Sequence, residues 1–527
     1  MKRVCIIAVA VILLIPYAYA EEKAKVSLPT IFGDNMVLQR DKAVPVWGWA
    51  APGENITVEF AGQKLSATAD ANGTWQTVLK AVPANAEPAV MKITGSETVT
   101  IKNVIVGDVW ICSGQSNMEW SVGSSLQAKE EINAANFPLI RHIKVNHQPS
   151  DRPLTHFNGN WVECSPKTVA RFTGAGYFFG RRLHQELNVP IGLINTSWGG
   201  TRIEPWTPPA GFAKIAEQKF AADILKRLEQ ADPTTAAGKA NYTKIIADVE
   251  VWLRKAKADI AAGRYPAAMP ALPSIGSSRQ DPTRLYQGMV APLVPYAIRG
   301  VIWYQGEANS REGISYYHKK RALVGGWREV WGQGDFPFYW VQLANFRHDY
   351  KMPARGDGYA RIRDYQRKAL DIAKTGMAVI IDIGDTRSIH PKNKQDVGWR
   401  LAQWALSKEY GRDIVPSGPL YKGYTVEGNK IRVSFEYTGG GLIVGRKEGL
   451  LPTQEVPQGK LERFAIAGAD KKWVWAEAVI DGVTVVVSSP EVAEPAAVRY
   501  AYSGNPLGAN LYNKEGLPAS PFRTDDW

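Results

Sequence analysis

The sequence predicts an α/β protein in which a central domain with a parallel sheet is flanked by two β-rich regions. Short alternating apolar runs, separated by Gly, Pro, Asn and Asp, occupy residues 26–107 and return after residue 415. Between them, longer apolar runs alternate with helix-like stretches. Strands that alternate with helices form a parallel sheet covered by helices, whereas short strands at close spacing form antiparallel sandwiches. At 527 residues the chain is long enough for these units to be separate domains.

The first twenty residues have the pattern of a secretory signal peptide. Lys2 and Arg3 precede an apolar run, and the motif AYA at 18–20 ends it as a small-x-small cleavage site. The apolar run is shorter than the roughly 20 residues that span a bilayer, which favours cleavage over an uncleaved anchor. We therefore expect an exported protein, periplasmic or extracellular, that begins near Glu21 and has no membrane attachment after cleavage.

Residues 21–102 are predicted to form an N-terminal β-sandwich. Runs such as AVPVWGWA, ITVEFAG and VMKITGS alternate apolar and polar residues and are parted by turn-forming residues. A second β-rich region is predicted for residues 415–527, where runs such as KIRVSFEY, KWVWAEAVI and GVTVVVSS show the same alternation. These two regions leave residues 103–414 for the central domain.

The central region carries the strands of the predicted parallel sheet. The runs VIVGDVWIC, VPIGLINTSW, IRGVIWYQG, FPFYWVQLA and GMAVIIDIG show little alternation, as strands buried on both faces do. Stretches such as GAGYFFGRRLHQELN, with apolar residues recurring at three and four, are typical of covering helices. The segment at about 211–264 is rich in Ala, Lys and Glu and predicts helices inserted near the site.

Charge and cysteine content narrow the classes of partner. The formal charge of +12 comes from Lys and Arg that are scattered rather than grouped, so no nucleic-acid partner is expected. Cys112 and Cys164 remain after removal of the predicted signal peptide. A disulfide between them stays open, because the sequence does not report their separation. The oligomeric state is open as well.

A serine follows the first central strand in the stretch VWICSGQSNMEW. Ser116 is placed on a tight turn between a buried strand and a helix, where its hydroxyl would be exposed for nucleophilic attack. The pattern Gly-x-Ser-x-Asn differs from the Gly-x-Ser-x-Gly elbow of α/β-hydrolases. By itself it is more typical of an ordinary serine turn or helix cap.

A histidine suited to act as base follows another buried strand. Among the seven histidines, His390 comes after the apolar run AVIID and a Gly-Asp break. Open α/β sheets gather their sites at the carboxyl ends of strands, so His390 could face Ser116. A histidine on a surface loop is the competing interpretation.

Two more loops after apolar strands carry polar groups. The stretch INTSWGGTRIEPW offers Gly199 and Gly200, whose backbone amides could approach an oxyanion closely. The stretch VIWYQGEANS offers Gln305, Glu307 and Asn309. Each loop alone is typical of a solvated turn, but four such loops after four strands favour a site.

Together, SGQSNMEW, SWGGTRIEPW, WYQGEAN and IHPKNKQDVGWRLA resemble the sialate O-acetylesterase family of SGNH-type hydrolases. The resemblance runs in order over nearly the whole mature chain and includes the ending GNPLGANLYNKEGLPASPFRTDDW. It implies a flavodoxin-like three-layer hydrolase domain. It also implies hydrolysis, without metal or other cofactor, of acetyl esters on sugar hydroxyls, in sialic acid or in acetylated polysaccharide.

The resemblance also implies roles for residues. Ser116 is similar to the family nucleophile and His390 to its general base. Gly200, the amide of Gln305 and the backbone amide of Ser116 resemble the oxyanion donors. His390 would take the Ser116 proton, Ser116 would attack the acetyl carbonyl, and water would then clear the acetyl-enzyme.

The acid partner of His390 is less well defined. Many SGNH enzymes have an aspartate three residues before the histidine, but Arg387 occupies that position here. Asp385 is slightly favoured as the substitute, Glu307 is the alternative, and Asp382 lies deeper in the strand. A Ser-His dyad oriented by a backbone carbonyl also fits.

Three residues after the glycine pair are candidates for substrate contact: Arg202, Glu204 and Trp206. Arg202 could hold a sugar carboxylate through a bidentate fork. A structural salt bridge with a neighbouring acid is an equally good interpretation of Arg202.

Two other classes of function compete with the esterase. One is a non-catalytic glycan-binding protein with a degenerate hydrolase domain, which the joint retention of Ser116, His390 and the glycine pair argues against. The other is a glycoside hydrolase that uses Glu307 and Asp385 as paired carboxylates. It would leave Ser116 and His390 without roles.

Overall fold

The computed structural model describes residues 25–349, 351–353 and 356–527. The predicted signal peptide, residues 1–20, lies outside the described residues. Among the described residues, no helix is both long enough and apolar enough to cross a membrane.

The N-terminal β region has two sheets. Its strands are β1 Val37–Gln39, β2 Val44–Trp49, β3 Asn55–Phe60, β4 Gln63–Thr68, β5 Thr74–Leu79, β6 Asn85–Thr94 and β7 Thr98–Gly114. Strands β2 and β5 pair with each other, and β3, β4, β6, β1 and the start of β7 form the second sheet. Trp75 and Ile56, both fully or almost fully buried, belong to its core.

Strand β7 belongs to both the N-terminal region and the central sheet. Its first half pairs with β6, and its second half, from Asp108 on, pairs with strands of the central sheet. The predicted boundary between residues 102 and 103 falls inside this strand. The two units are therefore joined by a shared strand rather than by a linker.

The central sheet continues with six further described strands: β8 Phe137–Lys144, β9 Val162–Cys164, β10 Ile191–Ser197, β11 Gly300–Tyr304, β12 Phe338–Val341 and β13 Thr375–Ala378. Their order is β13-β12-β11-β7-β10-β8-β9. All neighbouring strands run parallel except β9, which is antiparallel to β8. Strands β10, β11 and β12 are buried along their whole length, as their unbroken apolar runs predict.

The described helices are α1 Ser116–Glu119, α2 Ala128–Asn133, α3 Gly174–Leu187, α4 Pro209–Ala213, α5 Lys219–Ala231, α6 Ala236–Ala261, α7 Ile314–Trp331, α8 Gly358–Lys368 and α9 Lys394–Lys408. Helices α3 and α9 pack closely, because a Cβ on Gly398 of α9 would lie 2.5 Å from the backbone nitrogen of Phe179. Helices α5 and α6 and most of α4 fall in the range 211–264, where inserted helices were expected.

The C-terminal region is built of antiparallel strands: β14 Leu420–Glu427, β15 Lys430–Glu436, β16 Leu442–Arg446, β17 Gln454–Glu455, β18 Phe464–Gly468, β19 Trp473–Trp475, β20 Glu477–Asp481, β21 Thr484–Ser488, β22 Pro495–Tyr500, β23 Leu511–Asn513 and β24 Phe522–Arg523. It has its own apolar core, which includes Ile431, Ile466 and Phe522. The prediction of an α/β centre with β-rich flanks is confirmed.

One buried arginine joins the C-terminal region to the central domain. Arg363 of α8 donates hydrogen bonds to the carbonyls of Leu343 and Ala344, both at 2.8 Å, in the central domain. It also donates to the carbonyls of Ser503 and Gly504, at 2.7 and 2.6 Å, in the C-terminal region. This single side chain therefore fixes the backbone of both units.

Cys112 and Cys164 do not form a disulfide. Both are buried free thiols, Cys112 on β7 and Cys164 on β9. Two strands, β10 and β8, lie between them in the sheet. Three strand spacings of about 4.8 Å place the two residues at least roughly 14 Å apart across the sheet, well beyond the span of a disulfide. The disulfide between Cys112 and Cys164 that the sequence left open is therefore absent.

Candidate active site

The candidate site lies at one edge of the central sheet. Strands β7, β10, β11 and β13 are parallel, so their carboxyl ends meet at the same edge. The loops after these four strands carry, in chain order, Ser116, the Gly199 and Gly200 pair, residues 305–309 and His390. The four loops singled out in the sequence therefore converge.

The serine turn requires glycine at its first position. Gly114 has φ +134°, and a Cβ there would lie 2.2 Å from the carbonyl oxygen of Tyr304. The next residue, Gln115, ties the turn to the loop after β11, because its backbone N–H donates to the same Tyr304 carbonyl at 2.9 Å. Ser116 is then the first residue of α1 and is only partly buried. Its backbone N–H has no acceptor within the helix at this position.

Ser116 and His390 are in direct contact. The Ser116 Oγ lies 2.8 Å from Nε2 of His390. The His390 ring stacks on Trp120, with 4.9 Å between centroids and 19° between planes. Burial, together with the charge of Lys394, lowers the pKa of His390. A neutral ring at this distance can accept the serine proton.

Asp385, the favoured acid partner, does not contact the His390 ring. Its carboxylate accepts a hydrogen bond from the backbone N–H of Arg387 at 2.8 Å, closing a turn. In the part of the chain that the structure describes, no hydrogen bond or ion pair joins it to His390. Asp382 is committed to a buried ion pair with Arg400 at 2.6 Å.

Glu307, the alternative acid, lies beneath the serine turn rather than on the histidine ring. Its Oε1 accepts a hydrogen bond from Nδ2 of Asn117 at 2.6 Å. Its Oε2 is buried and has no hydrogen-bond partner among the described residues. Burial raises the pKa of this carboxyl. The structure thus brings Ser116 and His390 together but places neither candidate acid on the ring.

The glycine pair lies against the serine. A Cβ on Gly199 would lie 3.3 Å from the Cβ of Ser116. The Gly199 N–H donates to Oε2 of Glu119 at 2.9 Å, which fixes the loop. Gly200 has φ +71°, and within the described chain its N–H has no hydrogen-bond acceptor. Gly200 is therefore free to donate to an oxyanion.

The side-chain amide of Gln305 donates its hydrogen bonds within the protein, although the family resemblance implies that it donates to the oxyanion. Its Nε2 donates to the carbonyl of Thr201 at 3.2 Å and to Oδ1 of Asn309 at 2.7 Å. Both N–H bonds of the side-chain amide are therefore occupied, and the side chain is completely buried. It holds the loops after β10 and β11 together instead of facing the serine.

The residues predicted to contact substrate mostly make contacts within the protein instead. Arg202 pairs with Glu204 at 3.0 Å and with Glu312, and Lys319 pairs with the same two carboxylates at 2.7 and 2.6 Å. Burial alone would raise the pKa of Glu204, but Lys319 and Arg202 lower it to about 2. The salt-bridge interpretation of Arg202 thus describes the structure. Trp206 is fully buried and out of reach of a substrate.

Several residues near the serine were missed by the sequence analysis. Glu119 of α1 accepts hydrogen bonds from Lys144 at 3.1 Å and pairs with His147 Nε2 at 2.9 Å. The His147 ring stacks on Trp198 with 4.3 Å between centroids. Trp198 stood in the SWGG block, but His147 lies on a loop after β8 that carries no recognisable motif.

Arg279 is a second missed residue. Its guanidinium lies 5.2 Å from the Trp198 ring centroid, and its Nη2 lies 3.9 Å from the position of a Cβ on Gly200. Among the described residues, Arg279 forms no ion pair with a carboxylate. It reaches the site from the segment after α6, about 80 residues along the chain from Gly200, so no local sequence pattern indicates it.

Comparison with known proteins identifies the class. The profile of the family "carbohydrate esterase, sialic acid-specific acetylesterase" matches residues 106–240 and 274–406, about half of the chain. The chain belongs to this family, as its sequence blocks predict, and it is an ester hydrolase.

Individual relatives agree with the family. The chain is 29% identical over 427 residues to the sialate O-acetylesterases of Homo sapiens and Pongo abelii, which covers 73% of this chain and 72% of each relative. It is also similar to the crystal structure of a carbohydrate acetylesterase from Xanthomonas citri. That similarity has a TM-score of 0.78 and 36% sequence identity, and it covers 95% of this chain and 100% of the other.

Proposed function

We propose that the protein is an exported carbohydrate O-acetylesterase that uses Ser116 as its nucleophile. The observation that carries this proposal is the 2.8 Å contact between Ser116 Oγ and His390 Nε2. His390 takes the serine proton while Oγ bonds to the acetyl carbonyl carbon. The protonated ring then gives this proton to the sugar oxygen as its bond to the carbonyl carbon breaks, and the sugar leaves as an alcohol. Water activated by His390 hydrolyses the acetyl-enzyme and releases acetate.

The backbone amides of Ser116 and Gly200 stabilise the oxyanion in this proposal. One lies at the start of α1 and the other on the glycine loop, so both are fixed by the backbone rather than by a mobile side chain. Donors that are already in place need no reorganisation when charge develops on the carbonyl oxygen.

The strand order supports an SGNH-type, flavodoxin-like hydrolase domain. Without the edge strands β8 and β9, the order is β10-β7-β11-β12-β13. Counted along the chain, this is 2-1-3-4-5, the order of flavodoxin-like sheets. The serine then follows the first strand of this core and the histidine its last.

We propose an acetylated sugar as the substrate, on the basis of the relatives' names. The exposed guanidinium of Arg279, beside Gly200, could hold the carboxylate of a sialic acid, the role first expected of Arg202. A neutral acetylated polysaccharide would instead meet Arg279 only through hydroxyl groups.

The decisive experiment measures acetate release. We expect the wild type to release acetate from an activated acetyl ester, and S116A to lose at least about a thousandfold in kcat. Unchanged hydrolysis by S116A would contradict the serine mechanism, and an inactive wild type would favour a non-catalytic glycan-binding protein. Release of free sugar in place of acetate would instead favour a glycoside hydrolase.

A panel of acetylated sialic acids and acetylated xylan assigns the substrate class. If the substrate is acidic, R279Q should lower kcat/KM for the sialic acids about tenfold and leave the neutral substrate nearly unchanged. Equal loss on both would contradict recognition of a carboxylate by Arg279.

Export is proposed from the N-terminal sequence pattern alone. N-terminal sequencing of protein recovered outside the cytoplasm should give a chain beginning near Glu21. Recovery of the protein only with Met1 retained would contradict cleavage.

A further inference from the structure

Lys394 is a buried cation directly below the serine and histidine, and the mechanism above gives it no role. Its side chain is completely buried. It is also the first residue of α9, where the helix dipole disfavours positive charge. Burial of an ammonium group is costly unless it is paired. Burial and the helix dipole therefore both disfavour a positive charge at residue 394. Residues kept in such unfavourable surroundings are typical of functional sites.

The contacts of Lys394 lead to both catalytic residues through one side chain. Its Nζ donates to Oδ1 of Asn117 at 2.7 Å. Asn117 follows Ser116 directly, and its Nδ2 donates to the backbone carbonyl of Ile389 at 3.0 Å. Ile389 directly precedes His390. The amide of Asn117 therefore ties the serine turn to the histidine loop, and Lys394 fixes the orientation of this amide.

Glu307 completes the cluster. It accepts the second N–H of Asn117 at 2.6 Å, so both N–H bonds and the oxygen of the amide are engaged. Burial lowers the pKa of Lys394 to about 7, and the carboxylate of Glu307 opposes that shift. The result is a buried chain of Lys394, Asn117 and Glu307 under the reacting pair.

Among the described residues, Glu307 is the charged group that acts on the pKa of Lys394, and aromatic rings lie around its Nζ. Its Nζ lies 5.2 Å from the ring centroid of Tyr304, at the end of β11, and 5.9 Å from that of Trp120. Helix α3, which packs on α9, presents Gly174 at this point, since a Cβ there would lie 3.2 Å from the Lys394 Cβ. Burial is the main cause that lowers the pKa of His390, and Lys394 is the charged group that lowers it further.

We propose that Lys394 is a positioning residue of the hydrolytic site: through Asn117 it locks the serine turn to the histidine loop, and it places a buried positive charge beside that loop. This inference rests on the serine mechanism proposed above. It assigns to Lys394 part of the orientation that an acid on the histidine ring would otherwise supply.

The variant K394M tests both parts of the proposal. Loss of the hydrogen bond to Asn117 should lower kcat about tenfold or more, with KM nearly unchanged, because a small misplacement of the reacting pair is enough to cost this much. Loss of the charge should raise the pKa of His390, so the acidic limb of kcat/KM should move to higher pH. A merely structural role would not move this limb.

A second variant and a matched control keep the test decisive. K394Q retains a hydrogen-bond donor but not the charge. It should therefore shift the acidic limb of kcat/KM as K394M does, with a smaller decrease in kcat. Lys320 is a second fully buried lysine, surrounded by the rings of Trp303, Tyr316 and Trp340, with no hydrogen-bond partner for its Nζ in the described chain. K320M should leave the acidic limb where it is in the wild type.

The rate of labelling by a fluorophosphonate separates this inference from the serine mechanism. Failure of the wild type to label at Ser116 would contradict the mechanism itself. Labelling of the wild type at Ser116, with K394M and K394Q showing the same rate and the same pH dependence as the wild type, would overturn the role of Lys394 alone. A slower reaction with its acidic limb at higher pH in both variants supports it.

Discussion

At the scale of single residues, the site consists of a serine and a histidine that touch and of carboxylates that do not reach the histidine ring. Asp385 closes a turn through the backbone N–H of Arg387, and Glu307 binds Asn117. Orientation of His390 therefore comes from its stacking on Trp120 and from the Asn117 bond to the preceding carbonyl.

The variant D385N tests whether Asp385 acts as the triad acid. We expect kcat/KM to stay within about threefold of the wild type, because asparagine can close the same turn. If Asp385 oriented the histidine as the triad acid, its replacement by asparagine would lower kcat roughly ten-thousandfold. Steady-state kinetics of D385N, measured beside an inactive H390N, distinguishes the two. A loss of more than about a hundredfold would restore Asp385 as the acid.

At the scale of elements, the site depends on where parallel strands end. Four strands deliver four loops to one edge, and the glycines at the strand ends allow the loops to approach. Gly114 permits contact with the Tyr304 carbonyl, which no residue with a Cβ could make without displacing the neighbouring strand. The sharp turn that exposes Ser116 is thus a property of β7 and β11 together.

Gly200 and Gly263 form a matched pair for testing the oxyanion loop. Both have a left-handed conformation, with φ +71° and +70°, and a Cβ would meet little in either place. G200A and G263A should each lower the free energy of unfolding by about 1 kcal/mol. Only G200A should also lower kcat, by about tenfold or more, because it moves the proposed oxyanion donor.

Denaturant unfolding and acetate release, measured on both variants, check this prediction. If G263A lost as much activity as G200A, the effect would be one of general stability. If G200A kept full activity, Gly200 would have no part in stabilising the oxyanion.

At the scale of the whole molecule, the three units are joined by shared and buried structure. Strand β7 runs from the N-terminal sheet into the central sheet, and Arg363 binds carbonyls of both the central domain and the C-terminal region. The C-terminal region also reaches the start of α9, where Asn393 donates to the carbonyl of Gly449 at 3.1 Å. The histidine loop is therefore supported by the C-terminal region as well as by the sheet.

The variant R363M should destabilise the whole protein. It leaves the buried carbonyls of Leu343, Ala344 and Ser503 without this donor, while Gly504 still accepts from the backbone N–H of Phe346. The loss should lower the free energy of unfolding by about 3 kcal/mol or more. Urea unfolding followed by tryptophan fluorescence measures the change. Arg432, a partly exposed arginine paired with the exposed carboxylates of Glu427 and Asp481, supplies the control R432M, which should unfold nearly like the wild type. Equal midpoints for R363M and the wild type would contradict the joining role of Arg363.

The sequence by itself determined the α/β class, the β-rich flanks and the family, because these depend on local periodicity and on motifs contiguous in the chain. It also indicated the loops that carry Ser116, Gly200 and His390, since each follows an apolar strand. The boundary near residue 102 was less accessible, because a continuous strand that serves two sheets leaves no linker to recognise.

Only the tertiary structure decided which side chains reach the site. Trp206 and Arg202 stand next to the glycine pair in sequence, yet one is buried and the other is held by Glu204 and Glu312. Arg279 and Lys394 arrive from elements that the sheet brings together. Hydrogen bonds and charge pairs act over a few ångströms in space, and the distance between residues along the chain does not report that separation.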